Sequence, residues 1–202
     1  MVGYIQAKKV KLCEAALLIA LCASLCAGTW AQARQEALSA ALVRLHVVAV
    51  SDDKAEQALK LVVRDAVLEY LTPKLDGVQT AAQARGIIVG ELHSIAEVAA
   101  ANAQGRGVTV TLGQERYPTR RYTDFALPAG EYESLRIVLG EGAGRNWWCV
   151  VFPPLCTGGV EADTVRAAMK TDDYALISGS GEYELKFRTL ELWGELSELF
   201  GR

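Results

Sequence analysis

Residues 42–71 read LVRLHVVAV (42–50), SDD (51–53) and KAEQALKLVVRDAVLEYL (54–71), and this stretch decides the fold class. The first block is rich in β-branched residues and reads as a buried strand. Ser51, Asp52 and Asp53 form an N-cap cluster, with Glu56 placed in the first helical turn. In the third block Ala55, Leu59, Val62, Val63, Ala66, Val67 and Tyr70 fall on one helical face. Pro73 is expected to end that helix, because it lacks an N–H and its ring clashes with the preceding turn. A buried strand followed by an amphipathic helix opens a domain of mixed α and β structure.

Toward the C-terminus the pattern first stays helical. From about Thr80 to Ala103 a buried stripe runs through Ala84, Ile88, Leu92, Ile95 and Ala99. Gly86 and Gly90 weaken this helix by about 1 kcal/mol each relative to alanine, and Gly105 and Gly107 stop it. The period then changes to two. Val108, Val110 and Leu112 alternate with Thr109 and Thr111. Pro128-Ala129-Gly130 turns the chain into a strand over 131–139, with Leu135, Ile137 and Leu139 on one face and Ser134 and Arg136 on the other. A glycine loop, Gly140 to Gly144, leads to a return strand from Trp147 to Phe152, and the two strands read as an antiparallel hairpin.

Beyond it a helix is expected from Val160 to Lys170 and a flexible break at Ser178 to Gly181. A strand follows with Tyr183, Leu185 and Phe187 alternating, then a helix with Thr189, Trp193, Leu196 and Phe200 in line. The fold class is α+β. A single domain over residues 34–202 has an N-terminal strand and two helices, central antiparallel hairpins and a C-terminal helix.

Toward the N-terminus the character changes. Lys8, Lys9 and Lys11 precede an apolar run from Ala15 to Ala27 that is broken only by Ser24, and Ala31-Gln32-Ala33 offers a small-x-small site. These are the parts of a secretory signal peptide over residues 1–33. An uncleaved N-terminal anchor is the alternative, although the run is short of the roughly 20 apolar residues that span a bilayer. Membrane contact is expected only through this segment. Its removal takes away three of 21 basic and one of 24 acidic residues and leaves 169 residues with a net charge of −5.

The whole chain, 51% hydrophobic and 22% charged, has an ordinary globular balance. Its net charge of −3 and scattered basic residues exclude the basic stripe that a nucleic-acid binder needs. Cys13, Cys22 and Cys26 lie in the targeting segment, so Cys149 and Cys156 are the pair left to an exported domain. They form a disulfide or remain two buried thiols.

Searching for catalysis returns little. The glycine loop lacks the GxGxxG spacing, a following Lys-Ser/Thr pair and a helix N-terminus to receive phosphate. A thiol nucleophile would have to pair Cys149 with His46 or His93, the only two histidines. Asp52-Asp53 and Asp172-Asp173 suit caps better than metal coordination, and no GxSxG elbow exists. No cofactor, metal or catalytic residue is expected. What remains is a recognition surface. Arg120 and Arg121 sit among aromatics in Tyr117-Pro-Thr-Arg-Arg-Tyr122, and Asn146, Trp147 and Trp148 flank the glycine loop. Trp, Tyr and Arg dominate binding hot spots, and neighbouring tryptophans on a strand face opposite ways.

The blocks LHVVAVSD (45–52), QALKLVVRDAVLEYL (57–71) and YPTR (117–120) resemble the stage II sporulation protein R family. So do LPAGEY (127–132), Leu135-Arg136 and, most specifically, GEGAGRNWWCVVFPPLC (140–156). The resemblance covers about residues 42–157. Val50 departs from it, since the family pattern has asparagine there.

The resemblance implies a role in endospore formation. Family members are exported from the forespore into the space between the two membranes. There they activate a membrane-embedded aspartic protease, which processes the precursor of mother-cell sigma factor E. That implies a signalling protein rather than an enzyme, with the protease as partner. Two competing readings are an envelope thiol enzyme using Cys149 and His46, and a structural envelope protein.

Overall fold

The computed structural model describes residues 2–122 and 126–154. The elements expected from Val160 onward, together with Cys156, Asp172-Asp173 and the C-terminal helix, lie outside these residues. The chain divides after Ala37 into two compact units.

The N-terminal unit belongs to helix α1, Val2–Ala40. Leu17, Leu18, Ile19, Leu21 and Leu25 are exposed along it. By length and composition, Cys13–Ala40 suffices to cross a membrane. Its 28 residues span about 42 Å at 1.5 Å each, against a hydrocarbon core of about 30 Å. The apolar run by itself is shorter, but the helix continues through Gly28 and Ala31–Ala33, and those turns carry few charges. A signal sequence and a membrane anchor both meet this description.

The second unit is built on a four-stranded mixed sheet with the order β2-β5-β1-β6: β1 is Val43–Val48, β2 Val108–Tyr117, β5 Gly130–Leu139 and β6 Asn146–Phe152. A short ribbon pairs β3, Arg120–Arg121, with β4, Ala126–Leu127. The expected hairpin between residues 131–139 and 147–152 is not formed. Strand β1 lies between them, parallel to β5 and antiparallel to β6. The reason is burial. Every residue of β1 is buried, so it suits a position with a neighbour on each side, whereas the first two residues of β6 are exposed. The antiparallel partner of β5 is β2, paired over the full ten residues from Val108–Leu139 to Tyr117–Gly130.

Helices α2, Lys54–Leu75, and α3, Ala81–Asn102, cover one sheet face. The core joins Val43, Leu45, Val47, Leu135, Ile137 and Leu139 to Val63, Val67, Leu71 and Leu75 of α2 and Ala84, Ile88, Ile95 and Ala99 of α3. The buried row of α2 runs at spacing four through Leu59, Val63, Val67, Leu71 and Leu75, with Lys60 and Leu68 beside it. Val62, expected inside, is exposed. Pro73 does not end α2. It sits in the last turn, so its missing N–H forfeits one backbone bond near the helix end, and buried Leu75 holds that turn to the core. The chain leaves the helix through Gly77, whose φ is +72°.

Helix α3 starts with a capping box. The Thr80 hydroxyl accepts from the Gln83 N–H, and the Gln83 side chain accepts from the Thr80 N–H. Asp53 stands at the N-cap of α2, but its carboxylate makes no cap bond and accepts instead from the Ser51 hydroxyl.

Candidate functional site

Arg44 and His46 alternate with Leu45 and Val47, so they leave β1 on the face opposite the helices. There a second, smaller cluster holds Leu38, Leu42, Tyr117, Leu127, Tyr132 and Val150, with Tyr122 and Trp148 against it. Arg44 is 0% exposed. Its guanidinium carbon lies 3.9 Å from the Tyr117 ring centre and 4.8 Å from that of Tyr132. Its Nη2 donates to the Tyr122 hydroxyl at 2.9 Å, while Nε and Nη1 have no partner. The ring faces supply the electron density that a buried cation needs here.

Beside Arg44 runs a chain of hydrogen bonds. His46 Nδ1 is 2.8 Å from Glu115 Oε1, and the Ser134 hydroxyl donates to Glu115 Oε2 at 2.8 Å. Because that hydroxyl proton is engaged, Tyr117 is the donor in its 2.6 Å bond with Ser134. Tyr132 donates to the Pro128 carbonyl at 2.7 Å. Burial pushes the phenols of Tyr117 and Tyr132 well above the ordinary tyrosine range, and the Arg44 charge offsets part of that rise.

This layer opens at the β6 edge into a groove of about 580 Å³. Arg120, Arg121 and Tyr122 come from the β3 segment; Arg145, Asn146, Trp147 and Trp148 come from the glycine loop and β6. The groove therefore brings together all five of the residues singled out from sequence as a recognition surface. The two tryptophans diverge as a strand requires. Trp148 turns toward His46 and Tyr117, and the Arg120 guanidinium carbon lies 3.6 Å from its ring centre. Trp147 is 36% exposed and carries Arg64 of α2 at 4.4 Å. Arg120 Nε is buried without a partner. Burial, and then the charge of Arg44, lower the Arg120 pKa from its ordinary value.

One groove wall is fixed by bonds that local sequence does not announce. Asp52 accepts from the Arg145 N–H at 2.7 Å, and the Gly144 N–H donates to the Ala49 carbonyl at 2.9 Å. Lys60, 3% exposed, donates to the Arg145 carbonyl and to Gln57 Oε1, both at 2.7 Å. Burial and the nearby Arg145 charge lower its pKa. Gln57 in turn donates to the Ser51 carbonyl at 2.8 Å. A Cβ at Gly144 would strike that same carbonyl, which is why a glycine stands there. The acidic turn read as a helix cap thus clamps the glycine loop. The loop N–H groups of Gly140, Gly142 and Gly144 are bonded within the protein and do not form a phosphate cradle.

The sheet separates the proposed thiol–imidazole pair. Cys149 stands opposite Leu45 and belongs to the helix-side core, whereas His46 points to the other face. His93 is exposed beside Glu97 on α3. Among the described residues no group of three His, Cys, Asp or Glu side chains is placed to hold a metal ion.

Sequence reasoning overlooked Arg44, Glu115, Lys60 and Arg145. Arg44 and His46 do carry a signal, two polar residues at spacing two in an otherwise apolar strand. Lys60 carries none, since one lysine in an amphipathic helix reads as solvent-facing.

The family model for stage II sporulation protein R matches residues 39–162. The chain is 38% identical over 118 residues to the stage II sporulation protein R of Bacillus subtilis (strain 168), a match covering 56% of this chain. The match spans about half of that relative's length, 53%. No solved structure matches.

Proposed function

The chain belongs to the stage II sporulation protein R family, and from that premise we propose that it is an exported sporulation signal acting by protein contact. It activates a membrane-embedded aspartic protease, which then processes the precursor of mother-cell sigma factor E. Its place of action is the space between forespore and mother cell. The observation that carries the contact mode is the β6-edge groove, where arginines and tryptophans from two distant segments converge. Export is supported by the apolar helix at the N-terminus, in either its cleaved or its anchored form. A Cys149–Cys156 disulfide is supported by the bonded state of Cys149 and by the free thiols of Cys13, Cys22 and Cys26. The thiol-enzyme reading is disfavoured because Cys149 and His46 lie on opposite sheet faces.

The test is co-expression of the full chain with the protease and its pro-sigma substrate in a non-sporulating cell. The reading expects processing that depends on this chain and that falls in a Trp147→Ala, Trp148→Ala double variant. Export and protease expression without processing would overturn it.

A further inference from the structure

We infer that the β6-edge groove takes an acidic, extended segment of the partner protein, with partner carboxylates received by Arg121 and Arg145 at its rim and by Arg120 on its floor. This inference rests on the contact reading above and names the chemistry of the surface that meets the groove. The chain as a whole is acidic, with 24 acidic residues against 21 basic ones. Yet three of the described residues that line this groove are arginines, against one carboxylate, Asp52, beside its rim. A local reversal of sign against the net charge is what an electrostatically matched interface requires.

The second observation is the state of Arg120. Its guanidinium carbon lies 3.6 Å from the Trp148 ring centre, so the cation is seated against the indole. Its Nε is buried and has no partner, and a buried donor left unpaired is costly. Arg44, deeper in the same layer, also keeps two unpartnered nitrogens. A carboxylate entering from the groove would meet the Arg120 edge and reduce the mutual repulsion of two neighbouring cations. Arg145 is less committed, being exposed and 3.4 Å from an equally exposed Asp52 carboxylate. Its backbone is nevertheless fixed on both sides, by Asp52 on the N–H and Lys60 on the carbonyl. The rim is therefore a fixed backbone carrying an exposed charge, which suits capture of an extended acidic segment. The tryptophans and Tyr122 then provide apolar walls for the residues between carboxylates.

The experiment uses the full chain in neutral detergent and a fluorescein-labelled peptide of alternating glycine and glutamate, read by fluorescence anisotropy. The expected result is binding that weakens as salt rises, is absent for the glycine–lysine counterpart, and falls by about tenfold or more in Arg121→Glu and Arg145→Glu variants. Unchanged tryptophan near-UV circular dichroism shows that the variants keep the fold. No binding by the folded wild-type chain, or binding that the two reversals leave unchanged, overturns the inference. Salt-sensitive self-association that the acidic peptide does not displace assigns the groove to a second copy of this chain and also overturns it.

The same variants in the co-expression assay separate the two readings. Processing by wild type with no charge-dependent peptide binding defeats this inference and leaves the activator role standing. Charge-dependent peptide binding without any processing defeats the activator role and leaves the groove's specificity in place.

Discussion

The two faces of the central sheet are made from alternate residues of the same strands and are built on different principles. The face toward α2 and α3 packs aliphatic side chains such as Leu45, Val47, Leu135 and Ile137. The opposite face packs Tyr117, Tyr132 and Trp148 around a buried cation and a shared carboxylate. Aliphatic packing is non-directional and tolerates volume-conserving exchange. The aromatic and polar face is directional, because each hydrogen bond and ring contact fixes a geometry. Its outer edge is the groove, so its rigidity orients Arg120 and Trp148. The first face supplies stability and the second holds the site.

The largest effect that sharpens this contrast is expected on the helix side. Ile137→Ala removes a fully buried side chain from the middle of the core and should cost about 3–4 kcal/mol in urea unfolding. Such a variant, where folded, should still bind the acidic peptide with near-normal affinity. Loss of binding with little loss of stability would break the proposed division of labour.

A smaller stability change is expected for Arg44→Met, which keeps much of the volume but loses two ring contacts and the bond to Tyr122. The expected cost is about 2 kcal/mol. Here binding should fall along with stability, because Tyr122 lines the groove and loses its donor. An Arg44→Met protein of unchanged stability and unchanged binding would show that the buried cation supports nothing.

The smallest effect lies in alkaline solution. Tyr117 and Tyr132 have pKa values raised in the fold relative to the unfolded chain, chiefly by burial. Their neutral forms therefore favour the native state. That contribution is fully present below the unfolded tyrosine value of about 10 and is lost as pH rises above it toward the folded values. Urea unfolding followed through this range should show stability falling above about pH 10, and Tyr117→Phe should make the fall shallower. An equally steep fall in that variant would remove Tyr117 from the account.

Much of this architecture is legible in one dimension. The strand at 43–48, both helices and the strand at 130–139 stand close to where periodicity places them. Four of the five groove residues are identifiable by type, as tryptophans and arginines beside turns, and Asn146 by its place next to Trp147. Two local readings failed for physical reasons. Pro73 was tolerated because it falls in a final turn anchored by Leu75. Asp52 and Asp53 did not cap α2 with their carboxylates, because Asp52 is bonded to the backbone of Arg145, far along the chain.

By itself, then, the sequence determined the α+β class, the apolar N-terminal segment, the alternating faces of the strands and the family. Each is written in local spacing or in contiguous motifs. Only the tertiary structure decided that β1 enters between β5 and β6, that Lys60 is buried under the glycine loop, and that Arg120 meets Trp148. Side-chain period records which face a residue takes, but it carries no label for the neighbouring strand. That neighbour is chosen by burying both sides of β1 at once, a condition met only when distant segments come together.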